Sequence, residues 1–260
     1  MKREIIKPSK NIKNIIPGID GIFIITLKHR KDRHENIETQ LNKIKLSEYV
    51  YIIKSDTDKD NGCRGCYESH RYACKLSLEY NFKNTLIFED DFVINGDFIK
   101  NLQRKIKKLP KGYYRYMLGC IPIFPLYDFK NRLFYGSNLC TTSYIFSKEY
   151  AEWFPTYEDF KINEEKFSDF QRLFGRGLDH TFNTWIYDKT WMSYPSIVFV
   201  DENSGTKSDH DGSFWVKKGT KILTYQKSQY ALQYAPLICY LLFTVLVLYI
   251  LVKVNKLTIN

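Results

Sequence analysis

Short apolar runs alternate with longer amphipathic stretches along this chain, a rhythm that predicts an α/β sheet. Residues 21–27 form the first continuous apolar run, the pattern of a strand buried on both faces. A basic turn over residues 28–34 leads into a helix ending near residue 44, with Ile37, Leu41 and Ile44 on one face. Residues 49–53 read as a second strand and residues 62–80 as a second helix. A further strand is expected over residues 84–94, then an amphipathic helix over 97–108 with Phe98, Leu102 and Ile106 inward. Residues 113–120 and 141–146 are the next expected strands. Between them lie a loop over 121–130, holding Pro122 and Pro125, and the interruption Gly136-Ser137-Asn138. Ser147 is placed to cap a short helix through Trp153. Residues 155–170 read as irregular, 175–182 as a glycine-bracketed turn into a helix, and 195–200 as a last strand before a polar loop.

The strand over 84–94 is unusual in its middle, where Glu89, Asp90 and Asp91 interrupt the apolar run. Three adjacent carboxylates repel one another, and burying them beside apolar neighbours is costly without a cation. In an extended backbone Glu89 and Asp91 point to one face and Asp90 to the other. Two hard oxygen ligands side by side suit Mg²⁺ or Mn²⁺. The ordinary alternative is a solvated acidic turn. The strand, basic turn and helix over 21–44 form the kind of junction where α/β folds meet phosphates. No glycine-rich fingerprint stands there, so neither a P-loop nor a dinucleotide site is supported. Asp179 and His180 open a helix, where an acid is a good cap or a general base is well placed.

Residues 235–252 carry no charge over eighteen positions, just the length needed to cross a bilayer, and Lys253 and Lys256 follow. With no apolar export signal upstream, a tail anchor is expected, leaving the bulk of the chain on the cytosolic side. Lys217, Lys218, Lys221 and Lys227 fit that orientation. The implied organisation is a basic lead-in (1–18), a main α/β domain (19–215), a basic juxtamembrane linker (216–234), the anchor (235–252) and a short tail (253–260). At 260 residues, 44% hydrophobic and 16% aromatic, the chain has ample material for one core. Its net charge of +10 favours an anionic partner, but the lysines are spread rather than clustered, which argues against nucleic acid.

Six cysteines are present, and without an export signal they are expected to be reduced. Cys63, Cys66, His70 and Cys74 offer four soft ligands within twelve residues, so zinc is chemically feasible. Against it, successive turns of one helix set ligands along a line, whereas tetrahedral coordination draws on two segments. A buried helix face lined with small thiols is the ordinary explanation of Cys74.

Placed together, these stretches resemble glycosyltransferase family 25, which includes bacterial lipooligosaccharide galactosyltransferases and is related to the procollagen galactosyltransferases. Residues 26–33, from Thr26 and Leu27 through Arg30 and Arg33, are similar to the family's "NLxxRxDR" stretch. Gly65-Cys66-Tyr67-Glu68-Ser69-His70 matches its "GCxxSH" block, and Leu86-Ile87-Phe88-Glu89-Asp90-Asp91 its "LILEDD". Weaker echoes fall at residues 142–147, at Gly177-Leu178-Asp179 and at Ser208-Asp209. Lys28 and His29 depart from the pattern, and the anchor is no part of it.

The resemblance implies a GT-A-like fold, a mixed, mostly parallel sheet flanked by helices, here followed by a C-terminal transmembrane helix. It implies Mn²⁺ (or Mg²⁺) on Glu89 and Asp91, with Asp209 completing the metal or donor site. It also implies a UDP-sugar donor met by Thr26, Leu27, Arg30, Arg33, Ser69, His70 and Asp90, and transfer of galactose or glucose with inversion to a glycan or protein hydroxyl. Asp179 is the expected base, with His180 second. It accounts for Cys66 and His70 without zinc. Three rivals stand beside this: a metal-dependent phosphoester hydrolase, a nucleic-acid binder, and an inactive GT-A-like module tethered to a membrane.

Overall fold

A computed structural model of the chain describes residues 2–94, 96–131, 133–156, 186–193 and 196–200, with Ile238, residues 241–245, Val247 and Tyr249. Its centre is β2 (Gly21–Leu27), whose first six residues are all buried. β2 pairs in parallel with β3 (Tyr51–Ser55) on one side and β4 (Asn84–Glu89) on the other. Parallel neighbours need crossovers, and helices α1 (Lys31–Lys43) and α2 (Gly62–Glu79) supply them. Side-chain alternation sorts the strands onto two cores. Ile22, Ile24, Leu86 and Phe88 meet Ile37 and Leu41 of α1 on one face. Phe23, Ile25 and Ile87 meet Ala73, Cys74 and Leu76 of α2 on the other. The sheet is therefore dry on both faces, and its strands need no polar alternation.

Among the described residues the full sheet has seven strands, in the order β1 (Arg3–Ile6), β3, β2, β4, β7 (Leu133–Ser147), β6 (Arg115–Asp128) and β8 (Thr190–Met192), and is mixed. β1 (Arg3–Ile6) lies antiparallel on β3, within the stretch expected to be only a basic lead-in. Its alternating half-buried and exposed positions mark an edge strand with one covered face. Ile12, Ile16 and Ile19, in the same stretch, are core residues. β5 (Phe92–Ile94) leaves the large sheet and pairs with β9 (Val198–Val200), so the acidic run does not continue one strand.

α3 (Phe98–Ile106) buries Phe98 and Leu102, as its spacing predicts. β6 (Arg115–Asp128) and β7 (Leu133–Ser147) then make a long antiparallel hairpin. The loop expected at residues 121–130 is thus strand as far as Asp128. Register shifts between Met117 and Gly119, Gly119 and Ile121, and Ile123 and Leu126 relieve the ladder around Pro122 and Pro125. The interruption expected at 136–138 is likewise continuous strand, with Gly136 at φ 125°. β7 closes on β4 antiparallel, pairing Phe88 with Ser143 and Ile87 with Tyr144. β8 (Thr190–Met192) packs along the hairpin's far edge. The Ser147 hydroxyl accepts from the Tyr150 N–H at 3.2 Å and caps α4 (Lys148–Trp153), as expected.

In the apolar tail, Ile238, residues 241–245, Val247 and Tyr249 are helical and exposed. Among the described residues no helix is long and apolar enough to cross a membrane. Most of residues 157–185 and 201–260, with the irregular stretch, the glycine-bracketed turn, the 208–211 loop and the basic linker, lies outside the described residues.

Candidate active site

The carboxyl ends of β2 and β4 lie side by side, and their last residues make one cluster with the first turn of α1 and the middle of α2. β4 stops at Glu89, and Asp90 and Asp91 form a turn before β5. The expected alternation of the three carboxylates therefore fails beyond Glu89. All three instead gather around Arg33 of α1.

Asp90 is buried and fully engaged. Its Oδ2 accepts from the Thr26 hydroxyl at 2.7 Å, and its Oδ1 is paired with Arg33 Nη1. Arg33 Nη1 also lies 3.4 Å from Asp91 Oδ2. Burial works against the charge on Arg33, but Asp91 and Asp90 outweigh it and raise its pKa. The next turns of α1 hold the backbone of the acidic turn. Asn36 Nδ2 donates to the Phe92 carbonyl at 3.1 Å, and Gln40 Oε1 accepts from the Ile94 N–H at 3.2 Å. Arg33, Asn36 and Gln40 share one helix face by their spacing of three and four.

Asp91 differs from its neighbours. Its side chain is 20% exposed, yet Oδ1 is buried without a hydrogen-bond partner. Burial pushes its carboxyl up, Arg33 draws it down, and the charges of Glu89 and Asp90 push it up again, to about 7. An orphaned carboxylate oxygen facing two other acids is what a missing cation leaves behind, so the residues present fit a divalent ion. Glu89 is more fully served. Its Oε1 accepts from the Thr141 hydroxyl of β7 and stands 3.2 Å from His70 Nε2. Burial pushes Glu89 up, but the His70 and Thr141 contacts and the Arg33 charge hold it below the ordinary glutamate value.

His70 is buried on α2, with Nδ1 2.7 Å from the Tyr144 hydroxyl. Ser69 is buried too, but its hydroxyl donates to the Gly65 carbonyl at 2.8 Å within α2 and lies 3.3 Å from Ser55 Oγ. The Leu27 carbonyl stands 3.0 Å from His34 Nε2. Arg30 makes a fork to Asp32, at 3.0 and 2.8 Å, and leaves the acidic cluster to Arg33. The structure thus gathers Thr26, Arg33, His70, Glu89, Asp90 and Asp91 at one sheet edge. Asp179, His180 and Asp209 lie outside the described residues.

Nothing in the sequence gives a role to Thr141, Asn36 or Gln40, and Tyr144 stands there only within the weak echo at residues 142–147. Thr141 and Tyr144 reach Glu89 and His70 through the β4–β7 pairing, 52 and 74 residues away in the chain. No local pattern could announce them.

No family model matches the sequence, and no curated protein matches it. Solved structures with a similar arrangement include a glycosyltransferase involved in the glycosylation of the major capsid of PBCV-1. It is 11% identical with a TM-score of 0.34, over 52% of this chain and 63% of that one. A protein from STIV is 14% identical with a TM-score of 0.37, over 69% and 83%. A Bacillus anthracis protein assigned as a glucose-1-phosphate thymidylyltransferase, in complex with a sucrose, is 12% identical with a TM-score of 0.33, over 58% and 62%. The chain spans less than two thirds of the first and third of these. Likeness at this level says nothing of what the chain binds.

Proposed function

We propose that the chain is a metal-dependent sugar transferase that takes a hexose, galactose or glucose, from a UDP-sugar and passes it with inversion to a glycan or protein hydroxyl. The observation that carries this reading is the acidic turn at the carboxyl edge of β2 and β4. There Asp90 and Asp91 both pair with Arg33, Glu89 stands beside them on His70 and Thr141, and Asp91 keeps an orphaned buried oxygen. The sequence blocks that resemble family 25 supply the same residues. Carboxyl edges of parallel strands are where α/β folds receive nucleotides.

Asp91 and Glu89 would hold Mn²⁺ or Mg²⁺, with Asp209 a further ligand. When bound, such an ion neutralises the charge that grows on a diphosphate as it leaves. The chain's own residues do the rest. Asp90, locked by Thr26 and Arg33, fixes the turn that aims Asp91. Arg33 holds the acids together and adds positive charge beside the diphosphate position. Asp179, or His180 after it, would take the proton of the acceptor hydroxyl. The apolar stretch 235–252 would tether the chain to a membrane.

The test is UDP release from UDP-galactose or UDP-glucose by the full chain at high concentration over long incubation, with water taking the hexose in the acceptor's place, and with Mn²⁺ or with chelator. Release that needs the ion, and that falls about a hundredfold or more in Asp91→Asn, supports the reading. A folded, ion-binding chain that releases no UDP from either donor overturns it and leaves a binding module.

A further inference from the structure

Cys66, His70 and Glu89 place a sulfur, an imidazole nitrogen and a carboxylate oxygen within 4.8 Å of one another. α2 supplies the first two. Four residues apart, they lie on one face, one turn from each other. β4 supplies the third from its last residue. The two-segment geometry that a single helix cannot give is therefore present, with Glu89 of β4 as the third ligand. Cys74, on the same helix, belongs to the opposite situation: it is fully buried in the apolar core with Phe23 and Ile87.

The spacing suits a transition-metal ion. Bonds of about 2.0–2.3 Å to sulfur, nitrogen and oxygen put tetrahedral ligand atoms about 3.3–3.8 Å apart. His70 Nε2 and Glu89 Oε1 already stand at 3.2 Å. The half-buried Cys66 Sγ, one turn before His70, completes the triad within 4.8 Å. The outer partners are also in place. His70 Nδ1 meets the Tyr144 hydroxyl at 2.7 Å, and the two rings stack at 10°. Without an ion Nε2–H donates to Glu89; an ion would take that proton's place between the two, the ring proton passing to Nδ1 where the Tyr144 hydroxyl accepts it. The Thr141 hydroxyl occupies one lone pair of Glu89 Oε1 and orients the carboxylate, leaving a second lone pair for the ion.

We propose that Cys66, His70 and Glu89 bind a borderline-soft divalent ion of the Zn²⁺ class. The Cys66 thiol releases its proton to solvent on binding, and the fourth coordination position stays open to water or a substrate oxygen. This site goes beyond the transferase reading and does not depend on it. The two share Glu89 alone: the hard-ion site adds Asp91, and this one adds a thiolate and an imidazole.

Co²⁺ titration of the metal-stripped full chain tests the proposal, because a cobalt–thiolate bond gives a charge-transfer absorption that oxygen ligands do not. One equivalent of Co²⁺ should produce that band together with the visible bands of tetrahedral cobalt, and Zn²⁺ should bleach both. Cys66→Ser and His70→Ala should abolish the charge-transfer band or the tetrahedral pattern, while Cys74→Ser and Asp91→Asn keep both. Tyr144→Phe, which removes only the outer partner, should weaken Co²⁺ binding about 10–100-fold. No charge-transfer band in the folded wild-type chain, or one that survives Cys66→Ser, overturns the proposal. If Cys66→Ser does not fold, alkylation of the wild-type chain read by mass spectrometry decides. Zn²⁺ should protect Cys66, and equal alkylation with and without the ion overturns the site. Absence of UDP release alongside an intact cobalt spectrum would sink the transferase reading and leave this one standing.

Discussion

At the scale of the residue, Asp91 is the most informative group in the molecule. Its neighbours Asp90 and Glu89 each have hydrogen-bond donors that compensate their charge, whereas Asp91 has one buried oxygen with none. Arg33, Glu89 and Asp90 are the charged groups that face it, and with burial they bring its carboxyl to about 7. Between the usual carboxylate range and that value, the folded chain holds a proton that the unfolded chain has released. Stability from this group is therefore complete at low pH and is lost as pH rises through about 7. Glu89 acts in the opposite sense and only at lower pH, since its folded pKa is depressed and its contribution disappears as acid protonates it. Without divalent ions, the melting temperature should fall between about pH 5 and about pH 7.5. Mg²⁺ or Mn²⁺ should recover more of it at the higher pH, and Asp91→Asn should flatten the decline. A decline of equal size in Asp91→Asn would show that another group is responsible.

At the scale of the element, the sequence reveals what is local and hides what is not. β2, α1, β3 and α2 emerge from their own apolar spacing because each is buried by a continuous run or a single stripe. β1 escapes notice because four residues at a sheet edge show too short an alternation beside a basic stretch. β6 runs past Pro122 and Pro125 because bulges absorb the missing donors, a matter of register that no local propensity encodes. The acidic run looks like one strand, but side chains of α1 draw it into a turn. Asn36 and Gln40 bond the backbone on the far side of Glu89, and those contacts depend on where the helix lands. The acidic run of Glu89 and Asp91 is legible in the sequence as a candidate ion site, whereas the partners that orient Glu89 and His70 arrive on β7.

The small sheet β5-β9 matters to the site because β5 begins immediately after Asp91. Gly119 on β6 allows β9 to approach: a Cβ built there stands 2.6 Å from the Val198 carbonyl oxygen. Backbone cannot give way as a flexible side chain can, so Gly119→Ala must push β9 outward. It should destabilise the chain by about 1–3 kcal/mol, read from the urea midpoint. An unchanged midpoint would mean that β9 does not rest on β6 at that point.

At the scale of the whole molecule, a two-faced core carries a polar site on one edge of its parallel strands, and the chain around it has a net charge of +10. An anionic ligand is the natural occupant of such an edge, and a cation on the acidic turn would complete the attraction. The sheet accounts for the position of Glu89, Asp90 and Asp91 without reference to any ligand. The orphaned oxygen of Asp91 and the balance of charge around Arg33 point to one.

The most direct measurement of that claim is thermal melting of the full chain with UDP and Mn²⁺, added separately and together. A ligand that binds only the folded state raises the melting temperature by mass action. UDP and Mn²⁺ together should produce a shift that exceeds the sum of the separate shifts and is lost in Asp91→Asn. A folded chain whose melting temperature is unmoved by UDP with Mn²⁺ would contradict that claim.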